Sequence, residues 1–305
     1  MKAVEPKEPL GISDSVLALV GGTPLVRLQR VTDVLNPGVE VWVKLEFMNP
    51  GGSVKDRAGV RMLLDGIERG LLTRERRVID ATSGNTGVAL AMGGAALGYG
   101  VTLVMPENVT PQRIAIVRAY GAEIIFSDPM EGTDGAIRKC DAIAGADPAK
   151  WYRPDQYRND ANPDAHVRTT APEILAQTGG RITHFVAGIG TSGTIMGTAR
   201  GLKKANPKIR CYAAEPSESL HGLEGLKHMA TSIVPSIWHP ESLDGIVSVT
   251  TDAGWDMADT LNREEGIPAS HSGGAAVVAA LEIARNLDEG LVVTVLPDSF
   301  ERYPE

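Results

Sequence analysis

The stretch "RRVIDATSGNTGVALAMGGAALGYGVTLVMP", residues 76–106, decides the architecture. Between Ala81 and Pro106 it carries no charge, and a run of that kind is easily mistaken for a membrane span. The polar head "TSGNTG" (82–87) and six glycines argue otherwise. "RRVIDAT" is short and β-branched, the segment after the polar head is long enough for a helix, and "VTLVMP" is a second short apolar run. A strand, a glycine-rich turn, a buried helix and a second buried strand form one βαβ unit.

The same alternation extends outward. "VWVKLE" (41–46) precedes this unit, and "EIIFSD" (123–128), "THFVAGIG" (183–190), "IRCYAAEP" (209–216) and "LVVTVLPD" (291–298) follow it, with helical patterns between nearly all of them. Strands apolar on both faces belong to parallel sheets covered by helices. The expected fold is α/β with two mostly parallel twisted sheets, because one sheet of eight or more strands is harder to accommodate. Residues 145–166, "GADPAKWYRPDQYRNDANPDAH", are rich in Pro, Asp and Asn and mark the natural division.

With 305 residues, 43% hydrophobic and 22% charged, and a net charge of −8, the chain is an ordinary globular protein without a long Lys/Arg run. Nucleic acid and anionic membrane surfaces are therefore not expected as partners, and small polar substrates are. The two cysteines, Cys140 and Cys211, form no disulfide framework and fit a reducing cytoplasm. Acids and prolines around "VLALV" (16–20) argue against a signal peptide. The six histidines lack metal-binding spacing and no G-x-S-x-G elbow occurs, so neither a metal centre nor a serine hydrolase is expected.

Chemistry concentrates where helices begin. In "NPGGSVKDRAG" (49–59), Ser53 with Asp56 reads as an N-cap and capping box, and Val60, Leu63, Leu64 and Ile67 continue at helical spacing. Lys55 thus lies in a first turn, where the helix dipole disfavours a cation by roughly 0.3–1 kcal/mol. Either it is solvated beside Asp56 and Arg57, or it is held against a bound anion or used covalently. Three further Gly/Ser/Thr-rich segments open helices and aim backbone N–H groups at an anion. "TSGNTG" suits a carboxylate. "GIGTSGT" (188–194) suits a phosphate or, as G-x-G-x-x-G with Glu215 ending the next strand, a dinucleotide. "SHSGG" (270–274) reads equally as a capped helix start. One lysine and three anion sites together fit pyridoxal phosphate carrying an amino acid.

"NPGGSVKDR", "TSGNTG", "GIGTSGT" and "SGGAA", in this order and spacing, resemble the cysteine synthase and cystathionine β-synthase family of fold type II pyridoxal-phosphate enzymes. The resemblance runs from "GGTPLVRL" (21–28) to "DSFERY" (298–303), and "QTGGRITHFVAGIGTSGTIMG" with "ENVTPQR" and "YGAEII" is most similar to the O-acetylserine sulfhydrylase B or O-phosphoserine sulfhydrylase branch. It implies Lys55 as the Schiff-base lysine and Asn85 beside the cofactor's phenolic oxygen. Gly190, Thr191, Ser192, Gly193 and Thr194 would cradle the phosphate, and Ser272 would face the pyridine nitrogen. Thr82, Ser83, Asn85 and Thr86, with Gln156, would hold the substrate carboxylate. Lys227, in "HGLEGLKHMATSIVP" (221–235), would meet a substrate β-phosphate unless it and His228 form a solvated pair. A small mobile domain of residues 46–153 and a large phosphate-binding domain of residues 1–45 and 154–305 are implied, as are a homodimer and, as candidate partners, serine acetyltransferase or a sulfur-carrier protein.

The implied activity is β-replacement, forming L-cysteine from O-acetylserine or O-phosphoserine and a sulfur donor through an aminoacrylate, with the freed Lys55 taking the Cα proton. A serine rather than a carboxylate at the ring nitrogen implies that this nitrogen is not held protonated. Cystathionine synthesis and serine/threonine dehydration share the same intermediate and are the near alternatives. A nicotinamide-dependent oxidoreductase would use Gly188 to Gly193 and Glu215 but leave "SVKDR" idle, and a silent relative would have no use for Lys55. Two departures from the family pattern stand out. His271 precedes Ser272 where relatives carry a small residue, which is expected to disturb the pyridine end. The sequence ends at Glu305, soon after "ERY", so a tail covering the site or a dimer partner is not expected.

Overall fold

The computed structural model describes residues 13–302 other than Ser83, so that expected carboxylate ligand lies outside the described residues. Its strands are β1 (Leu25–Arg27), β2 (Gly38–Leu45), β3 (Arg77–Ala81), β4 (Val101–Pro106), β5 (Glu123–Ser127), β6 (Trp151–Tyr152), β7 (His184–Gly188), β8 (Arg210–Pro216), β9 (Gly245–Val249) and β10 (Glu289–Leu296). Its helices are α1 (Lys55–Glu68), α2 (Asn85–Leu97), α3 (Pro111–Ala119), α4 (Gly132–Ala146), α5 (Ala161–Arg168), α6 (Thr170–Gln177), α7 (Gly193–Ala205), α8 (Thr251–Thr260) and α9 (His271–Ala284). One sheet has the order β1-β2-β10-β7-β8-β9 and the other β5-β4-β3-β6. Apart from β1, which runs antiparallel to β2, every pairing is parallel. The two expected sheets are therefore present, and each strand expected from an apolar run is found.

Strand periodicity divides each sheet's side chains between two cores. Along β10, Val292 and Leu296 join Val277 and Leu281 of α9, whereas Leu291, Val293 and Val295 join Ala199 and Leu202 of α7. In the smaller sheet Val78 and Leu103 pack with Leu63 and Leu90, while their neighbours Ile79 and Val104 pack with Ile137 and Cys140 of α4. Helices thus cover both faces of both sheets, as continuous apolar strands require. The uncharged run that opened the sequence reading becomes the buried helix α2 and the wholly buried strand β4. No helix among the described residues is long and apolar enough to cross a membrane.

The carboxyl ends of β3, β7 and β10 deliver the glycine-rich turns and Asp298, and the chain leaving β2 delivers Lys55. The start of α1 differs from the expected capping box. Ser53 lies two residues before the helix and its Oγ accepts from Lys55 N at 3.2 Å, while Asp56 Oδ2 accepts from Gly51 N at 2.5 Å. Gly52, at φ +80°, turns the backbone so that Gly51 comes over the carboxylate, and a Cβ on Gly51 would strike it. Val54 N donates to Pro297 O at 2.8 Å, tying this turn to the end of β10.

Behind Lys55 lies a buried ion network. Arg57 Nε meets Glu46 Oε2 at 2.7 Å and its Nη1 meets Glu173 Oε1 at 2.7 Å, while Lys44 Nζ meets Glu173 Oε2 at 2.8 Å. Burial works against ionisation of Glu46 and Glu173, yet the Arg57 guanidinium holds both carboxyls below their usual range, Glu173 at about 2. The charges adjoining Lys55 are therefore structural, joining α1 to the six-stranded sheet and to α6.

Candidate functional site

The turn from β7 into α7 is built to receive an anion. α7 begins at Gly193, so its first N–H groups lack helical partners and lie at the positive end of the dipole. Ser192 holds φ +71°, a left-handed conformation that costs a non-glycine residue about 1–2 kcal/mol. Its buried Oγ has no hydrogen-bond partner among the described residues. A Cβ on Gly190 would lie 2.6 Å from Gly225 O, and one on Gly193 would overlap the Asn162 carboxamide, so both positions require glycine. Asn162 Nδ2 donates to Thr191 Oγ1 at 3.0 Å, and His166 Nε2 lies 3.3 Å from Thr194 Oγ1. Burial pushes His166 down to about 3, so this supporting ring stays neutral.

Lys55, Asn85, Ser272 and the 190–194 loop line one cavity. Burial lowers the pKa of Lys55, with the Asp298 carboxylate opposing that shift. Asn85 Nδ2 donates to Asp298 Oδ2 at 2.6 Å. Ser272 sits in the first turn of α9, whose N-cap is Ser270, so "SHSGG" is a capped helix start that also lines the cavity. His271 precedes Ser272 in the first turn of α9. Its ring stacks on Trp255, with centroids 4.6 Å apart and planes inclined by 22°, and it is not among the lining residues.

An adjoining cavity, open to solvent, shares Lys55, Asn85, Gly190 and Thr191 and adds Thr82, Thr86, Gln156 and Lys227. Thr86 Oγ1 donates to Gln156 Oε1 at 2.7 Å, and Thr82 Oγ1 accepts from Gly84 N at 3.2 Å. Lys227 is partly buried, its Nζ lies 5.2 Å from the Tyr157 ring centroid, and burial lowers its pKa. His228, next in the chain, is paired through Nδ1 with Thr231 Oγ1 at 2.9 Å. Across the mouth, Arg113 Nη1 from α3 meets Glu224 Oε1 at 2.5 Å. Glu215, the expected ribose partner of a dinucleotide, is occupied by Met229 N at 2.5 Å. Asp298, Asn162, His166 and Arg113 were not singled out from sequence. Only Asp298 carried a local signal, an acid just past the end of a buried parallel strand.

A family model described as pyridoxal-phosphate dependent enzyme matches residues 16–298. The chain belongs to that family. It is 48% identical over 295 residues to the cysteine synthase of Aquifex aeolicus, covering 95% of this chain and 90% of that protein. To cysteine synthase B of Pseudomonas aeruginosa it is 42% identical over 287 residues, covering 93% of each. The crystal structure of O-acetyl serine sulfhydrylase isoform 3 from Entamoeba histolytica superposes with a TM-score of 0.94 at 36% identity, covering 99% of this chain and 93% of that one. Pyridoxal phosphate is accordingly the cofactor, and the residues present fit it. An unpartnered buried hydroxyl and bare helix amides suit its phosphate, and a partly buried lysine of lowered pKa suits its aldehyde.

Proposed function

We propose that this protein is a cysteine synthase that replaces the β-substituent of an O-activated L-serine, O-acetylserine foremost, with sulfide. The observation that carries this reading is the convergence of Lys55, Asn85, Ser272 and the 190–194 loop on one cavity that opens into a second lined by Thr82, Thr86 and Gln156. Bound pyridoxal phosphate supplies the electron-withdrawing system that acidifies the substrate Cα–H and lets the β-substituent leave. Gly190 to Thr194 would bind its phosphate, Asn85 and Ser272 would orient its ring, and Lys55 would hold its aldehyde carbon covalently. Thr82, Ser83, Thr86 and Gln156 bind the substrate carboxylate. Lys55 Nζ, of lowered pKa in this setting, would accept the substrate Cα proton when it is not engaged with the cofactor. The β-substituent departs as acetate, sulfide forms the new bond to Cβ, and Lys55 returns the proton to Cα.

In this reading residues 46–153 form a small unit that closes the carboxylate-binding turn over Lys55, while residues 1–45 and 154–305 hold the cofactor phosphate. The enzyme works as a cytoplasmic homodimer. Cys140 and Cys211, buried and pushed up to about 12 by burial, stay as unreactive thiols there.

The test is Lys55→Ala. Wild type forms L-cysteine from O-acetylserine and sulfide and shows a visible absorbance that borohydride bleaches. The variant keeps the fold but loses that absorbance, and its turnover falls by at least about a hundredfold. Near-normal turnover in the variant refutes the assignment.

A further inference from the structure

β6 pairs with β3 through two residues, Trp151 opposite Arg77 and Tyr152 opposite Val78, and the backbone ladder then stops. The chain continues as a strap, residues 153–157, that carries Gln156 to the outer cavity. Where the ladder ends, charge takes over. Arg153 Nε lies 3.8 Å from Oδ1 of Asp80, which is buried two residues further along β3 than Val78. The same Oδ1 accepts from Ala81 N at 2.8 Å, at the entrance to the 82–87 turn. Neither Arg153 Nε nor Asp80 Oδ2 has a hydrogen-bond partner among the described residues, so each depends on the opposite charge for compensation. Burial pushes the Asp80 carboxyl up to about 7, with Arg153 opposing that shift, so it is ionised at pH 8. Arg153 Nη1 also pairs with Asp141 of α4 and lies 3.8 Å from Asp155 Oδ2. Asp155 holds φ +50°, which a non-glycine residue keeps only where its surroundings over-determine it. They do so here, because its Oδ1 accepts from Tyr157 N at 3.2 Å and its Oδ2 accepts from Arg158 Nη1 at 3.2 Å. This bend sets Gln156 where its Oε1 accepts from Thr86 Oγ1 at 2.7 Å.

We propose that Asp80 and Arg153 are positioning residues for the substrate carboxylate: their charge pair holds the strap against β3 and so keeps Gln156 beside the 82–87 turn. The inference rests on the assignment of Thr82, Thr86 and Gln156 to that carboxylate under Proposed function. Asp141 is partly exposed on α4 and Asp155 belongs to the strap itself, so Asp80 is the acid that fixes Arg153 to the sheet. Without that charge Arg153 follows Asp141 towards solvent, the bend at Asp155 loses one of its supports, and Gln156 leaves its register with Thr86. Asn162 Nδ2 donates to Gln156 O at 2.7 Å and to Thr191 Oγ1 at 3.0 Å, which holds the far end of the strap to the phosphate loop. Cofactor binding is therefore not what the charge pair controls.

The experiment uses holoenzyme at pH 8 and measures inhibition of O-acetylserine turnover by L-alanine and by L-alaninamide, which both lack a leaving group and differ in the carboxylate. In wild type the inhibition constant of the amide exceeds that of the acid. In Asp80→Asn the ratio of the two constants is expected to fall about tenfold, as the loss of a charge-assisted contact would make it. KM for O-acetylserine rises about tenfold, while kcat stays within about threefold and the Kd of pyridoxal phosphate within about twofold. Arg153→Gln, at a partly exposed position, carries the same expectation and replaces Asp80→Asn if that variant does not fold. An unmoved ratio in the folded variants overturns the proposal. So does a fall in kcat or in cofactor affinity with the ratio preserved, which is what a merely structural role produces. Gln156→Ala separates the two causes of failure. If it lowers the ratio while the others do not, the carboxylate assignment stands and only the charge pair falls. If it too leaves the ratio unmoved, the assignment falls with the pair.

Discussion

Ser192 combines two features that one substitution pulls apart, a φ of +71° and a buried hydroxyl without a partner. Holding serine in the left-handed region costs about 1–2 kcal/mol, which Ser192→Gly recovers. Glycine returns part of this through the greater freedom of the unfolded chain, about 0.5–1 kcal/mol. The cofactor-free variant is therefore expected to be as stable as wild type or up to about 1.5 kcal/mol more stable. Its affinity for pyridoxal phosphate moves the other way. A hydrogen bond to a charged phosphate is worth about 1.5–3 kcal/mol, so Kd rises about tenfold to hundredfold. Ser192→Ala keeps the strained backbone, loses the hydroxyl and shows the same loss of affinity. Urea unfolding of the cofactor-free proteins and fluorescence titration with pyridoxal phosphate measure the two quantities. A glycine variant less stable than wild type by more than about 1 kcal/mol, or with unchanged Kd, refutes the view that strain here serves to present a phosphate donor.

Arg57→Met leaves Glu46 buried and uncompensated and is expected to cost about 3–5 kcal/mol in urea unfolding at saturating cofactor. Stability should also fall in acid: Glu173 titrates at about 2 in the fold against 4.5 as its ordinary value, so the unfolded chain binds the extra proton between those pH values. That contribution, about 3 kcal/mol, is complete above pH 4.5 and disappears as pH drops towards 2, which unfolding midpoints of wild type and Glu173→Gln distinguish. For the acceptor, Lys227→Ala should lower kcat/KM about tenfold or more with O-phosphoserine while leaving O-acetylserine within about threefold, because an ammonium facing the outer cavity contacts only the charged leaving group. Equal changes for both acceptors would discard a role for Lys227 in choosing the substrate.

What the sequence made legible is what depends on near neighbours. Continuous β-branched runs, glycine-rich turns and a lysine at a helix start declare themselves within a few residues, and the strands and turns that line the cavity followed from them. β1 with three residues, β6 with two, and the edge strand β9, whose burial alternates, are too short or too mixed to form an apolar run. The capping box failed because the Gly51–Gly52 turn brings a nearer donor to Asp56. Asn162, His166 and Ser270 are ordinary polar residues in isolation. Each acquires its role from a partner 28 or 29 residues away, Thr191, Thr194 and Asp298 respectively, and such pairings exist only once the sheets have formed.

The place of β10 in the larger sheet bears on how the protein is made. It lies between β2 and β7 with its whole length paired to β2, from Glu289 opposite Gly38 to Leu296 opposite Leu45, yet it is translated after every other strand. The smaller sheet draws on one continuous stretch, β3 to β6, and can assemble while synthesis continues, whereas β2, paired early with β1, must wait on the ribosome for its parallel partner some 250 residues downstream. Pro297 and Asp298 arrive with that strand and complete the wall of the cofactor cavity. A nascent chain interrupted before Glu289 therefore lacks both the middle of its principal sheet and part of the cavity that would retain pyridoxal phosphate, and is left exposed to proteolysis. Cofactor retention thus requires a chain that extends through Asp298.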